Sequence, residues 1–369
     1  MKTDLTDLIE VSRKYGSDPD WVLVGGGNTS MKESGLMYVK ASGFELATIA
    51  EEGFVEMSLD ALNAVWNKEY SADEKQREAA VLEDMMNART EGQDARPSVE
   101  ALLHSLIKGR LVVHTHPALI NGLTSGLDGE AILAELFGDA ALWLPLTHPG
   151  YILANEIKTR LDAAEAAGKP YPEMIFLQNH GLFVAGDTPA DIEALHRKAA
   201  AAVKGRLKRS PVEGQKPVNA AALAEFSEKI EDSWGRSLEL RSAVNSDILA
   251  FAGTDDAFKS LRLPFNPDQI VYSGPGPLRI DEPGKLSEAL EAYKSEWKRE
   301  PQAVLVKGLG LFAVGDTAKK AESALALMLD TVKIAVYSES FGGAHPMTDE
   351  LIIFIRDWEV EHYRAKQSK

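Results

Sequence analysis

The run LVVHTHP at residues 111–117 sets three apolar side chains before two histidines, His114 and His116, and ends in a proline. The apolar residues and the proline predict a short buried strand that ends here. Because side chains two residues apart on a strand share a face, we expect both imidazoles to project the same way. Two imidazoles on one face form half of a zinc-type site. A pair of surface or hydrogen-bonded histidines is the alternative that this motif alone leaves open.

A second strand end offers a third imidazole. His180 lies in Asn179–Gly181, just after the apolar run at 174–177. The 369 residues include no cysteine, so any metal must be held by His, Asp or Glu. A carboxylate candidate is Glu100, in a helix predicted over 99–108 with Ser98 as its N-cap. A residue matched to the helix dipole is the alternative role for that glutamate.

The other histidines have no metal-ligand spacing. We expect His104, His196 and His362 at helix surfaces or interfaces, and for His148 a place in a pocket stays open.

Composition narrows the classes of function. With 40 basic and 56 acidic side chains the net charge is −16, and the pI is about 5.0. No net positive field exists to attract a phosphate backbone, so a nucleic-acid partner is not expected. No apolar run reaches the roughly 18 residues of a membrane span, and the first ten residues do not resemble a signal peptide. The sequence predicts a cytoplasmic protein without a membrane partner.

Composition shifts divide the chain. An apolar run at 21–24 predicts a strand that leads into a glycine-rich turn, and residues 59–90 predict one long charged helix. The basic segment 208–216, which holds a proline and a glycine, predicts a linker. We therefore expect a metal-binding domain at 1–210 and a C-terminal domain at 217–369.

The C-terminal part contains a partial internal repeat. Residues 175–188 (IFLQNHGLFVAGDT) align without gaps with residues 304–317 (VLVKGLGLFAVGDT). A Pro-Gly turn upstream matches at nearly the same offset, with Gly274 in place of His148. Because Leu309 replaces His180, this second copy is expected to be free of metal.

Several motifs occur in an order that resembles the class II aldolase/adducin family over about residues 5–206. They are GGGNTS (25–30), KASG (40–43), PSVE (97–100), HTHP (114–117), the Pro-Gly turn at 149–150 and NHG (179–181). Beyond them, GPGPL (274–278), GLGLFAVGDT (308–317) and FGG (341–343) are similar to the rhamnulose-1-phosphate aldolase module of bifunctional aldolase/dehydrogenase proteins. No dinucleotide-binding fingerprint accompanies them.

The resemblance implies an α/β chain with a three-layer α/β/α fold, a central and mostly antiparallel sheet, and a degenerate C-terminal repeat. It implies Zn²⁺, or another divalent metal, on three ligands: His114, His116 and His180. It gives Glu100 the role of acid/base carboxylate. It implies four ligands of a substrate phosphate, namely Asn28, Ser42, Gly43 and Ser98. Val99 stands where many of these aldolases have a second serine, so one phosphate donor is missing.

The function implied is that of a metal-dependent sugar aldolase. It would cleave a ketose or ketose 1-phosphate, similar to rhamnulose 1-phosphate, into dihydroxyacetone or its phosphate and an aldehyde. A sugar epimerase similar to ribulose-5-phosphate 4-epimerase is one alternative, and a non-catalytic, adducin-like interaction module is another. The partners expected are a small-molecule sugar or sugar phosphate and further copies of the chain in a homo-oligomer.

Overall fold

Strands and helices alternate along residues 3–358, the part of the chain that the computed structural model describes. The strands, in chain order, are β1 (Asn28–Glu33), β2 (Leu36–Lys40), β3 (Phe54–Ser58), β4 (Leu111–Thr115), β5 (Ala141–Leu144), β6 (Met174–Leu177), β7 (Gly181–Gly186), β8 (Glu239–Ala243), β9 (Leu278–Ile280), β10 (Ala303–Val306) and β11 (Gly310–Gly315). The helices, in chain order, are α1 (Thr6–Gly16), α2 (Leu59–Ala64), α3 (Glu74–Asn87), α4 (Ala101–Leu106), α5 (Ala118–Thr124), α6 (Gly129–Phe137), α7 (Tyr151–Ala166), α8 (Pro189–Lys204), α9 (Ala220–Trp234), α10 (Ser246–Gly253), α11 (Asp255–Phe258), α12 (Pro267–Ser273), α13 (Leu286–Trp297), α14 (Ala318–Ser338) and α15 (Asp349–Asp357).

The first of two structural units, residues 3–120 and 130–205, is built on a seven-stranded sheet in the order β3-β2-β1-β4-β7-β6-β5. Neighbouring strands are antiparallel except β5 and β6, which run parallel. Helices α1 and α8 pack on one face of the sheet, and α2, α3, α4 and α7 cover the other. The predicted α/β/α layering with a mostly antiparallel sheet is confirmed.

Strand β4 shows how the sheet positions side chains. Val112 belongs to the apolar cluster that the sheet forms with α4 and α7. Because side chains alternate along a strand, His114 projects toward the same face. Thr115 projects to the opposite face, where its hydroxyl lies 3.3 Å from Nε2 of His196 on α8. The layer between sheet and α4 is therefore the one that holds the first histidine of the HTHP motif.

Two secondary-structure predictions are wrong. Residues 21–24 form turns and irregular backbone instead of a strand, and the Trp21 carbonyl accepts a hydrogen bond from the His116 amide at 3.1 Å. The helix predicted over 59–90 is two helices, α2 and α3, separated by a 3₁₀ turn and a polar loop. Asp73 ends that loop, because its side chain accepts a hydrogen bond from an amide in the first turn of α3. The N-cap starts a new helix where periodicity alone suggested one continuous helix.

The basic segment 208–216 is held by the second unit. Arg209 Nη1 donates to Asp247 Oδ1 at 2.8 Å, and the Val212 amide donates to Asp247 Oδ2 at 2.7 Å. The predicted linker is thus hydrogen-bonded along its course, and the predicted division of the chain at this segment stays a prediction.

The second unit, residues 121–129 and 206–358, is built on a four-stranded sheet in the order β8-β11-β10-β9. Strand β11 is antiparallel to β8 and β10, and β10 is parallel to β9. Strands β4-β7-β6-β5 of the first unit have the same order and the same directions. The packing also corresponds, since α14 covers β8 and β11 as α8 covers β4 and β7, and α9 contacts α13 as α4 contacts α7. The predicted C-terminal repeat therefore comprises the whole half-sheet from β4 onward.

One landmark of the predicted repeat is wrong. Pro149–Gly150 follows β5 and precedes α7, whereas Gly274 and its neighbours lie before β9. The segment in the equivalent place, after β9 and before α13, contains Pro283–Gly284. Glu282 therefore stands where the first unit has His148. The connection from β8 to β9 is longer than the connection from β4 to β5. A comparison of the two copies at a nearly constant offset therefore pairs Pro149–Gly150 with the wrong Pro-Gly dipeptide.

None of the helices within residues 3–358 is both long enough and apolar enough to cross a membrane.

Candidate metal centre

Three imidazoles meet where β4 ends and the β6–β7 hairpin turns. His114 lies on β4, His116 follows that strand, and His180 is the last residue of the hairpin loop. Strands β4 and β7 are hydrogen-bonded neighbours with Thr115 opposite Leu182, which places His180 beside the other two. The structure thus brings together the three residues predicted to bind metal.

The backbone of the hairpin loop aims His180 at this point. Asn179 has φ 56°, in the left-handed region that asparagine adopts more readily than most residues. The His180 amide donates to the Leu177 carbonyl at 3.2 Å and closes the turn. A Cβ at Gly181 would lie 2.3 Å from the Thr115 carbonyl oxygen, so only glycine lets β7 begin this close to β4.

The ring nitrogens of the three histidines point at one another. His114 Nε2 lies 2.8 Å from His116 Nε2 and 3.4 Å from His180 Nε2. His114 Nδ1 lies 3.1 Å from the Leu182 carbonyl oxygen, to which it can only donate, so Nε2 presents a lone pair to the centre. Burial lowers the pKa of His114 well below its usual value and keeps the ring neutral. The Phe183 ring stacks on it at 4.0 Å and fixes its plane.

This donor set fits a divalent cation. Converging lone pairs repel one another unless a proton or a cation lies between them. The 3.4 Å separation of His114 and His180 is close to the edge, about 3.3 Å, of a tetrahedron with zinc–nitrogen bonds of about 2.0–2.1 Å, whereas the 2.8 Å separation is shorter. Imidazole suits zinc and neighbouring transition metals, and three histidines leave a coordination position open for water or substrate. Within residues 3–358, no other group of three or more His, Asp or Glu residues has comparable spacing.

Glu100 faces the same centre from the N-cap of α4. Its Oε1 lies 3.6 Å from His114 Nε2 and 3.5 Å from His180 Nε2, and its Oε2 accepts a hydrogen bond from Asn28 Nδ2. The side chain is buried, and Oε1 has no hydrogen-bond partner among the described residues. A buried carboxylate oxygen left over beside three imidazoles is a ready acceptor for a proton or a ligand for a cation.

The start of α4 differs from the prediction. The helix begins at Ala101 instead of residue 99, and Glu100 is its N-cap, although the glutamate side chain makes no capping hydrogen bond. Ser98 Oγ instead accepts a hydrogen bond from the Glu100 amide at 3.3 Å, in the turn before the helix. The carboxylate therefore turns to the histidines, which argues against a role confined to the helix dipole.

Charge at the centre acts on Glu100 in two directions. Burial by itself raises the pKa of Glu100, but the neighbouring imidazoles, His114 foremost, and the hydrogen bond from Asn28 lower the pKa overall. Glu100 is therefore an ionised carboxylate near neutral pH.

Three of the four predicted phosphate ligands lie on two adjoining segments. Ser42 and Gly43 follow β2, and backbone hydrogen bonds join these residues to the segment that holds Ser98. Gly43 has φ 92°, and Ser42 Oγ donates to the Pro97 carbonyl at 3.1 Å. The fourth residue, Asn28, contacts Glu100. Ser98 is thus hydrogen-bonded both to the end of β2 and to Glu100, and phosphate binding by all four residues stays a prediction.

His104 is a residue of the site that the sequence analysis did not assign to it. Expected at a helix surface or an interface, it is fully buried behind Glu100, one helical turn further along α4. Its Nε2 hydrogen-bonds Asn28 Oδ1, and its Nδ1 lies 2.7 Å from Ser30 Oγ. Burial lowers the pKa of His104 to about 3, so the ring is neutral. One feature of the sequence could have identified His104 as part of the site. It lies four residues after Glu100, a spacing that places both side chains on one face of a helix.

The other histidines within residues 3–358 do not join the centre. His196, expected at a helix surface or an interface, is buried between α8 and the opposite side of the sheet. His148 Nδ1 lies 3.0 Å from Glu74 Oε1. His362 lies outside the described residues.

The strand registers identify the counterparts of the three histidines in the second unit. Ser242 faces Phe312 in the β8–β11 pair as His114 faces Phe183 in the β4–β7 pair. By the same register, Val244 corresponds to His116 and Leu309 to His180. The hairpin itself is kept, since Gly308 has φ 70° where the first unit has Asn179. The second unit thus repeats the backbone of the site without its ligands.

The α/β/α fold and the three converging imidazoles define an α/β protein with a candidate metal centre, and comparison with known families identifies the family. The chain belongs to the class II aldolase and adducin N-terminal domain family, whose sequence model matches residues 6–201. This match covers nearly all of the first unit together with residues 121–129, and it ends before the second unit resumes at residue 206.

Individual relatives cover different parts of the chain. It is 24% identical over 409 aligned residues to YuxG, an uncharacterized oxidoreductase of Bacillus subtilis (strain 168), covering 97% of this chain and 58% of the relative. It is 26% identical over 205 residues to the L-fuculose phosphate aldolase of Methanocaldococcus jannaschii, covering 53% of this chain and 93% of the relative. The structure of an N-terminal class II aldolase domain from Thermoplasma acidophilum is 28% identical with a TM-score of 0.47, covering 56% of this chain and 94% of that domain. The chain thus spans little more than half the length of the Bacillus relative.

Proposed function

We propose that this chain is a metal-dependent aldolase that cleaves a ketose or a ketose 1-phosphate. Family membership supports a sugar-phosphate aldolase activity in general. The observation that carries the proposal is the placement of Glu100 Oε1, buried and without a hydrogen-bond partner, 3.5–3.6 Å from two of three converging imidazoles. A non-catalytic scaffold has no need of this combination.

The residues at the centre suit the chemistry of carbon–carbon cleavage. His114, His116 and His180 would hold the cation, and a divalent cation supplies Lewis-acid polarisation of a carbonyl. In cleavage, the hydroxyl gives up its proton as its carbon becomes an aldehyde, and the electron pair of the broken bond passes to the carbon beside the ketose carbonyl. That carbon then takes up a proton, so no proton is gained or lost overall. The ionised Glu100 is placed to take up the proton of the hydroxyl and to deliver it to that carbon, because its oxygen Oε1 faces the imidazoles that would hold the cation.

The substrate class follows from the residues around the carboxylate. Asn28, Ser42, Gly43 and Ser98 would bind a phosphate or the terminal hydroxyl of the ketose. A substrate similar to rhamnulose 1-phosphate is proposed from the motifs of the C-terminal part, and the alignment with the longer Bacillus relative over 97% of this chain is compatible with a module of a bifunctional protein. Zinc, the homo-oligomer and a cytoplasmic location belong to the same proposal.

Metal analysis followed by product analysis tests this function. The purified chain should contain about one equivalent of a divalent metal, with zinc expected, and should release an aldehyde from a deoxyketose or its 1-phosphate. Removal of the metal with a chelator should stop the release, and added Zn²⁺ should restore it. The His196→Gln variant serves as a control, because this histidine is buried in the same unit on the other face of the sheet. Aldehyde release that is insensitive to chelation would contradict metal-dependent chemistry.

The same assay separates the alternatives. An epimerase would convert one ketose phosphate into its epimer without free aldehyde, because the bond that breaks forms again within the site. An adducin-like module would bind no catalytic metal and would convert none of the sugars.

A further inference from the structure

A line of four buried polar side chains leads from β1 to the carboxylate at the metal centre. Asn28 and Ser30 lie two residues apart on β1 and therefore share a face, and His104 lies one turn beyond Glu100 on α4. Each of the four side chains is buried. The His104 amide also donates to the Glu100 carbonyl at 3.0 Å, so the helix fixes the spacing of these two residues.

The direction of each hydrogen bond in this line is determined by chemistry. Asn28 Nδ2 donates to Glu100 Oε2, because an amide nitrogen carries the protons and a carboxylate oxygen accepts them. The other end of the Asn28 amide is an oxygen, which requires a donor, and His104 Nε2 is the atom in contact with it. A neutral imidazole with its proton on Nε2 accepts at Nδ1, where the Ser30 hydroxyl lies 2.7 Å away.

Every donor in the line therefore points toward Glu100. The proton of Ser30 points to His104, that of His104 to Asn28, and that of Asn28 to the carboxylate. Aligned hydrogen bonds polarise one another and strengthen the last bond of the chain. The line ends on Oε2, which leaves Oε1 facing the histidines.

We infer that His104 is a positioning residue for the acid/base carboxylate: through the Asn28 amide it determines which oxygen of Glu100 faces the metal centre. Without the proton on Nε2, the Asn28 amide loses the partner that holds its orientation, and a rotated amide would present its oxygen to a carboxylate that it repels. This inference rests on the proposed function for its effect on turnover, although the hydrogen-bond direction itself does not.

Variants at position 104 test the inference through catalysis. His104→Phe keeps a flat ring but removes the donor, whereas His104→Gln keeps an N–H group able to reach Asn28. We expect turnover to fall by about 10–100-fold in the phenylalanine variant, the loss usual for residues that orient a functional group at a metal site, and to recover largely in the glutamine variant. Metal content should stay at the wild-type level in both, because the three imidazoles are untouched.

A double-mutant cycle shows whether His104 acts through Asn28. If it does, His104→Phe combined with Asn28→Ala should lose no more turnover than Asn28→Ala alone. His196→Gln is the matched control, a buried histidine of the same unit outside this line, and it should leave turnover unchanged. Multiplicative losses in the double variant, or glutamine as poor as phenylalanine at equal folded fraction, would overturn the inference.

A spectroscopic measurement addresses the hydrogen bonds without any activity assay. In protein labelled with ¹⁵N-histidine, the His104 signal, assigned by its absence from His104→Gln, should show a neutral ring with the proton on Nε2. A proton on Nδ1 would require the opposite direction of donation and would refute the inference, even if the phenylalanine variant failed to fold. Conversely, a wild-type protein with the expected ring state but no activity on any ketose would contradict the proposed function alone.

Discussion

The two oxygens of Glu100 have different surroundings, and this difference makes a mutational prediction. Oε2 is bound by Asn28, whereas Oε1 faces two imidazoles. Glu100→Gln keeps the size of the side chain but removes its capacity to take up the proton. Turnover should fall by about 10²–10⁴-fold, while KM changes less. Steady-state kinetics measures both, and a stable variant with near wild-type turnover would remove Glu100 from the mechanism.

His116 makes a second prediction at the residue scale. His116→Ala removes one of three metal ligands, so the purified variant should hold little or no metal and show no activity. The fold should persist, because the first unit has its own apolar core on both faces of the sheet. Elemental analysis and circular dichroism measure the two effects. A variant that is insoluble or unfolded would instead indicate a structural metal.

Buried neutral histidines make stability depend on pH. Burial lowers the pKa of His196 to about 4, whereas an unfolded histidine titrates near 6.5. The unfolded chain therefore binds the proton first as the pH falls, so stability is complete above about 6.5 and is lost between 6.5 and 4. The loss at pH 5 is about 2 kcal/mol for this group.

The variant His196→Gln removes that titration. Its melting temperature should fall less than that of the wild type between pH 7.5 and pH 5, by several degrees at roughly 2–4 °C per kcal/mol. Thermal unfolding at the two pH values measures the difference. Equal decreases in the two proteins would show that His196 is not held neutral by the fold.

At the scale of elements, the close approach of β4 and β7 depends on one glycine. A Cβ at Gly181 would lie 2.3 Å from the Thr115 carbonyl oxygen and 2.8 Å from Cδ2 of His116. Gly181→Ala should therefore displace the hairpin from β4 and weaken metal binding at least tenfold, measured by chelator competition. Gly205→Ala is the matched control, since φ there is −64° and the nearest atoms are at ordinary contact distance, 3.4 Å. Equal metal affinity in the two variants would contradict this reading of the hairpin.

Sequence reasoning located the elements whose signal is local. The HTHP strand end and the hairpin of His180 carry apolar runs closed by turn residues, and the structure places both as expected. The burial of His104 could not be predicted from local sequence, because its partner Asn28 lies 76 residues away and contacts it only where α4 packs on the sheet. Periodicity also failed where a cap at Asp73 divides a helix. The role of the metal-centre residues stays a prediction that geometry supports.

At the scale of the whole molecule, we expect the two units to differ in their response to metal. Only the first carries converging imidazoles within the described residues, although each unit has its own sheet and its own buried core. A ligand stabilises only the folded state that binds it. Calorimetry should thus show two thermal transitions, of which a chelator lowers one and leaves the other unchanged. A single transition that shifts as a whole would indicate that the units unfold as one.

The repeated half-sheet supplies a scaffold for protein design. The second unit has the same strand order, the same hairpin turn and a glycine at the start of β11, while the positions that hold imidazoles in the first unit are Ser242, Val244 and Leu309 in the second. One polypeptide thus contains a candidate metal site and a copy of its backbone without the imidazoles. Replacing these three residues with histidine would test whether three imidazoles on this backbone are sufficient for a metal site, or whether a buried network like the one behind Glu100 is needed as well.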